Sequence, residues 1–214
     1  TVSVPTGGGK TLAAMAFALK LAMMNPGQFR RIIVVIPYLA IIEQNAQIYK
    51  DLFGEDVVLE HHSGTLWVKP GDRSHFVPGG GGEESYEGSR RLEETQNWDS
   101  PLIVTTSVRF FESLFSNHPS DLRRIHNIAR SIVILDEVQV LPRRLLAPLQ
   151  EMIRELGENW GCAFVLSTAT KPGLERRTSG GRDSRWATGT VEEIIQTPEA
   201  LYRELKRVGI EWRI

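Results

Sequence analysis

The chain has little with which to brace itself covalently or cross a bilayer. One cysteine, Cys162, stands among 214 residues, so no internal disulfide can form. Its apolar flank, Ala163-Phe164-Val165, reads as a buried strand thiol, and this sparse usage fits a reducing, cytoplasmic setting. No apolar run approaches about 18 residues, which argues against a transmembrane helix and a membrane partner. No signal peptide is expected, since Thr1 leads directly into a glycine-rich loop, and the lack of an initiator Met suggests a piece of something longer. Neither charge sign dominates: 25 basic and 26 acidic residues leave a net charge of −1, so bulk electrostatics excludes a polybasic nucleic-acid binder. Metal-ligand spacing is also missing. His61–His62 is a pair at a strand end without a Cys or His cluster around it, and it reads as packing.

What the chain does have is an α/β pattern. Short apolar runs at 1–4, 32–36, 57–60, 102–105, 132–135 and 163–167 alternate with helical periodicity. Near-continuous "IIVVI" and "IVIL" suit strands buried on both faces, so a mostly parallel sheet with helices on both faces is predicted. A helix over 10–24 should be amphipathic and stop at Asn25-Pro26-Gly27. Another should open at Pro142 and carry Leu145, Leu146, Leu149, Met152, Ile153 and Leu156 on one face. Phe110, Phe111 and Phe115, at helical spacing, read as core in preference to base-stacking aromatics. Arginine pairs such as Arg30–Arg31 and Arg123–Arg124 read as solvated charges. The glycine run within 62–100, followed by a charged helix candidate over 84–98, and the polar, basic stretch 171–190 break the pattern.

Three motifs carry chemistry. "VPTGGGKT", residues 4–11, follows a short strand and opens a helix. Thr6, Gly7, Gly8 and Gly9 form a loop whose backbone can approach phosphate oxygens, Lys10 supplies a point charge, and the Thr11 hydroxyl can ligate Mg²⁺. "SIVILDEVQ", residues 131–139, runs a buried strand into Asp136 and Glu137. There Asp136 would hold Mg²⁺ and Glu137 would polarise water, with Gln139 as a third catalytic candidate. "LSTAT", residues 166–170, places Ser167, Thr168 and Thr170 at the next strand end, where hydroxyls can bond Glu137 or Gln139 and relay nucleotide state. Lys10 and Asp136 are expected to meet at adjacent strand tips.

In this order, with "IPYLAIIEQNAQIY", "HHSG" and "VTTSVRFFESLF" between, the motifs resemble the first RecA-like domain of a superfamily 2 helicase of the DEAD/DEAH-box kind. More closely, they resemble the CRISPR-associated helicase–nucleases of type I systems, with "DEVQVLP" and "PEALYRELKRVGIEW" adding to the likeness. The resemblance implies a RecA-like P-loop NTPase using ATP and Mg²⁺ to move along single-stranded DNA, recruited by the Cascade surveillance complex. It implies an ATP-binding domain over 1–170, then a basic loop and the start of a connection over 171–214. The second RecA-like domain and the HD nuclease are expected to lie outside this chain, leaving a half-motor with weak hydrolysis and no unwinding of its own. Pro37, Tyr38, Thr105 and Thr106 would touch the DNA backbone, although Thr105 and Thr106 equally fit as caps of a helix near Ser107. Two other classes stay open: a different phosphate-loop enzyme such as a small-molecule kinase, and a non-catalytic module holding DNA or a protein.

Overall fold

A computed structural model of the chain describes residues 2–3, 9–62, 97–168 and 194. Thr6, Gly7, Gly8, Thr170, nearly all of the 84–98 helix candidate and the 171–190 stretch lie outside the described residues, as does the tail apart from Ile194. In chain order the elements are β1 (Val2–Ser3), α1 (Lys10–Met24), β2 (Arg31–Ile36), α2 (Ile42–Phe53), β3 (Val58–His61) and β4 (Leu102–Thr106). Then come α3 (Ser107–Phe115), α4 (Pro119–Leu122), α5 (Ile125–Ile128), β5 (Ser131–Leu135), α6 (Leu146–Asn159) and β6 (Ala163–Thr168). The six strands predicted between residues 1 and 167 form, with ends shifted by one or two residues, while the strands expected in the tail lie outside the described residues. The chain divides into two compact units, Thr1–Gln28 with Ile132–Ile214, and Phe29–Ser131.

In the first unit β6 pairs in parallel with β1 on one side and with β5 on the other, through Val2↔Ser167 and Leu135↔Leu166 among others. The strand leading to the phosphate loop and the strand leading to Asp136 are therefore separated by β6, which corrects the expectation of adjacent tips. All five residues of β5 are buried, as a strand covered on both faces requires. Helix α1 packs against β1 and β6 through Ala14, Met15 and Ala18. It is not amphipathic, because Leu12, Leu19, Met23 and Met24 are exposed and, after Thr11, only Lys20 breaks the apolar sequence. Its end is as predicted: Asn25 turns out of the helix, its amide Nδ2 donating to Leu21 O at 2.9 Å, and Gly27 takes φ 78°. Pro142 does not open an α-helix. A 3₁₀ turn at Arg143–Leu145 comes first, so Leu145 is exposed while Leu149, Ile153 and Leu156 of α6 are buried. Cys162 is buried one residue ahead of β6, not within it.

In the second unit β4 lies between β2 and β3, again all parallel, with Ile32↔Leu102 and Val58↔Leu102 in register. Helix α2 packs on β3 and β4, and α3 packs on β4 and β2. Trp98 and Phe110 are fully buried and stack with centroids 6.5 Å apart; His61 meets the Trp98 ring edge-on at 5.9 Å. Arg124 sits 5.6 Å over the Trp98 ring and is fully buried, bonding Ser113 Oγ at 3.2 Å and Asp121 Oδ1 at 3.3 Å. The solvated reading of Arg123–Arg124 thus fails at Arg124. It fails also at Arg31, whose mostly buried guanidinium bonds the Trp98 carbonyl and faces Asp99. Of the three phenylalanines, Phe110 is core, Phe111 is half-buried against it, and Phe115 is exposed near the helix end.

Candidate nucleotide site

The site belongs to the first unit and begins where glycine gives way to helix. Gly9 takes φ 73°, a left-handed conformation, with open space where a Cβ would stand, and it hands the chain to Lys10 at the first turn of α1. The Lys10 side chain is only 9% exposed, and its Nζ lies 2.8 Å from Glu137 Oε1, a residue 127 positions away. A buried ammonium requires an anion or several acceptors beside it, and here the second acidic residue of "DE" fills that role.

Glu137 is held in place through its backbone. It follows β5 in a left-handed conformation (φ 48°, ψ 49°), uncommon for a residue with a side chain. Its N–H donates to Asp136 Oδ1 at 3.0 Å, and its carbonyl accepts from Val140 N–H at 2.9 Å. Buried Val138 anchors the 3₁₀ turn Val138–Val140 that follows. From this turn Gln139 donates through Nε2 to Glu137 Oε2, and Thr168 Oγ1 donates to Gln139 Oε1 at 2.7 Å. The expected link from the "LSTAT" hydroxyls to Glu137 or Gln139 is thus present as Thr168 to Gln139. Ser167 Oγ, by contrast, is buried with no hydrogen-bond partner among the described residues.

The donor set suits a metal-bound polyphosphate. Mg²⁺ is usually held by one or two carboxylates plus phosphates and water, and Asp136 with the Thr11 hydroxyl are the residues here of that kind. No group of three or more His, Cys, Asp or Glu able to hold a metal occurs among the described residues. What sequence reasoning missed is the direct Lys10–Glu137 bond. The motifs assign both residues to the ligand, and nothing in their spacing signals that they bond each other.

The DNA candidates belong to the second unit. Tyr38 is 50% exposed and Pro37 half-buried, just ahead of a 3₁₀ turn at Leu39–Ile41. Thr106 Oγ1 accepts Arg109 N–H at 3.2 Å and caps α3. Thr105 is fully buried, its hydroxyl donating to His61 O at 2.7 Å, so its side chain is turned away from any solvent-side phosphate.

With this geometry in hand, the family model for DEAD/DEAH box helicases matches residues 1–177. The chain belongs to the DEAD/DEAH box helicase family. Its parallel α/β architecture is the RecA-like P-loop fold of these helicases. Among curated relatives, the CRISPR-associated nuclease/helicase Cas3 of Haloferax volcanii is 29% identical over 189 residues, covering 82% of this chain and 19% of the relative. The chain thus spans about a fifth of that relative's length. Among solved structures, the UvsW helicase from bacteriophage T4 is similar at 16% identity and a TM-score of 0.45, over 80% of this chain and 47% of that one. No helix among the described residues is long and apolar enough to cross a membrane.

Proposed function

We propose that this helicase chain is the ATP-binding half of an ATP-dependent single-stranded-DNA translocase in CRISPR defence, acting with Cascade, a second RecA-like domain and a nuclease. Residues 1–170 form its ATP-binding domain and 171–214 lead toward the second motor domain. The supporting relative is a Cas3 nuclease/helicase. The observation that carries the nucleotide reading is the Lys10–Glu137 bond across 127 positions, because it brings the phosphate loop and the acidic strand end to one point.

Lys10, with the backbone N–H groups of the loop from Thr6 to Gly9, would hold the phosphates, and Thr11 and Asp136 would hold Mg²⁺. When bound, Mg·ATP supplies the phosphoanhydride bond and a counter-charge for the phosphate oxygens. Glu137 orients a water and takes its proton, while Gln139 fixes the carboxylate plane through Oε2. Thr168, bonded to Gln139, couples the state of this turn to β6, and Ser167 and Thr170 belong to the same coupling segment. Tyr38 and Pro37 contact the sugar–phosphate backbone, contacts that position DNA without reading sequence. An arginine supplied to the γ-phosphate by another domain is typically worth about 10³–10⁵ in rate, so this chain alone hydrolyses slowly and does not unwind.

Titrations with an ATP analogue and a single-stranded oligonucleotide, beside phosphate-release kinetics, test this reading. Both ligands should bind, turnover should be slow, and Glu137→Gln should stop hydrolysis while nucleotide still binds. Hydrolysis that survives Glu137→Gln would contradict the role given to that carboxylate. Oligonucleotide binding without nucleotide binding would identify a non-catalytic module.

A further inference from the structure

In the second unit, two neighbouring strand ends carry side chains that phosphate chemistry does not explain. β2 and β4 pair in parallel with Ile36↔Thr106 in register. Two residues past that pair come Tyr38 after β2 and Val108 after β4, 50% and 61% exposed, with Leu39 beside Tyr38 at 45%. A single exposed apolar residue is ordinary, but here three follow adjacent strands at the edge where parallel sheets place ligands. Local structure turns them outward. Tyr38 is extended, and its carbonyl accepts from Ile41 N–H at 3.4 Å to close the 3₁₀ turn over Leu39–Ile41. Ile42, fully buried at the start of α2, pins the far side of that turn. In α3, buried Phe110 and Leu114 take the inward face, and helical periodicity puts Val108 on the other. The same edge is poor in donors for phosphate. Thr105 spends its hydroxyl on His61 O, Thr106 is buried and caps α3, and the Arg109 guanidinium bonds Glu112 Oε2 at 3.1 Å.

We infer that Tyr38, flanked by Leu39 and Val108, is a stacking platform for the unpaired bases of single-stranded DNA. The inference rests on the DNA reading above and adds the bases to the backbone contact given to Tyr38 there. Every base has a π-face, so stacking on an aromatic ring holds a strand whatever its sequence. The two aliphatic side chains extend the apolar surface around the ring and keep water from the edges of a seated base. A duplex keeps its base faces stacked inside, so the platform selects single strands. Phosphate contacts weaken as salt rises, whereas stacking depends on the base being present. That difference separates the two kinds of contact by experiment.

The test is fluorescence anisotropy at fixed ionic strength, titrating the 214-residue chain into labelled oligothymidylate and into an abasic sugar–phosphate strand of equal length. Wild type should bind oligothymidylate about tenfold or more tighter than the abasic strand. Tyr38→Ala should lose about tenfold on oligothymidylate and little on the abasic strand. Tyr38→Phe, which keeps the ring, should regain most of that loss. Val108→Ser should lose about two- to fivefold, on oligothymidylate alone. Equal binding of both strands by wild type would overturn the platform and leave the apolar surface to a protein partner. An equal loss on both strands in Tyr38→Ala would overturn it in favour of backbone contact alone. Tyr38→Phe as weak as Tyr38→Ala would overturn it too, since the hydroxyl would then carry the contact. Failure of wild type to bind either strand would overturn the DNA reading, and the platform with it.

Discussion

His61 shows how one buried side chain ties stability to pH. Trp98 Nε1–H donates to His61 Nδ1 at 3.0 Å, so that nitrogen must carry no proton. Burial, then the charges of Arg124, Arg109 and His62, push the imidazole down to about 3. In the unfolded chain it takes up its proton near 6.5, whereas the folded chain stays neutral until about 3. Between those values the unfolded state binds more protons, so stability falls as pH falls, by up to about 1.4 kcal/mol per unit. Urea unfolding at pH 6.5 and 5 should show wild type losing about 1.6 kcal/mol to this group, and His61→Gln losing less by that amount. Equal losses would mean that His61 is not held neutral. The sequence supported packing for His61–His62, and His61 does pack on Trp98. The aromatic–arginine cluster around it was not legible, because Trp98 and Arg124 are far from His61 in sequence and neither sits in a periodic apolar run. Neighbouring Glu60 differs: burial pushes its carboxyl up, but Lys50 and His62 bonded to it outweigh that and hold it below the usual range.

At the scale of elements, strands were read well and helices less so. The run "IIVVI" becomes β2 with five successive buried residues, because a strand covered on both sides needs apolar side chains at every position. Helix starts depend on capping geometry that composition only hints at. The sequence fits Thr106 equally to a cap and to a DNA contact, and the bond to Arg109 N–H supports the cap. Thr106→Ala should destabilise the chain by about 1 kcal/mol, measured by chemical denaturation, whereas Thr106→Ser should cost far less. No loss in the alanine variant would remove the cap from the account. Helix α6 starts late because a 3₁₀ turn intervenes after Pro142, a choice local sequence did not settle. The apolar surface of α1 was misjudged for a related reason: periodicity counts residue types and cannot tell an alanine in the core from one outside it.

For the whole molecule, order along the chain was the most informative signal. Two motifs separated by more than a hundred residues come together because parallel strands run their C-terminal ends to one edge, which is where open α/β sheets place ligands. The strand between those tips was not foreseen, since sequence order says little about which strands lie side by side. The family match over residues 1–177 spans both motifs. The most direct test is equilibrium titration of a non-hydrolysable ATP analogue with Mg²⁺ into the wild-type chain and Lys10→Ala. The account predicts saturable binding by wild type, weakened at least tenfold in the variant, as about 1.5–3 kcal/mol for a lost charge-assisted bond implies. Binding of equal strength in both would contradict it.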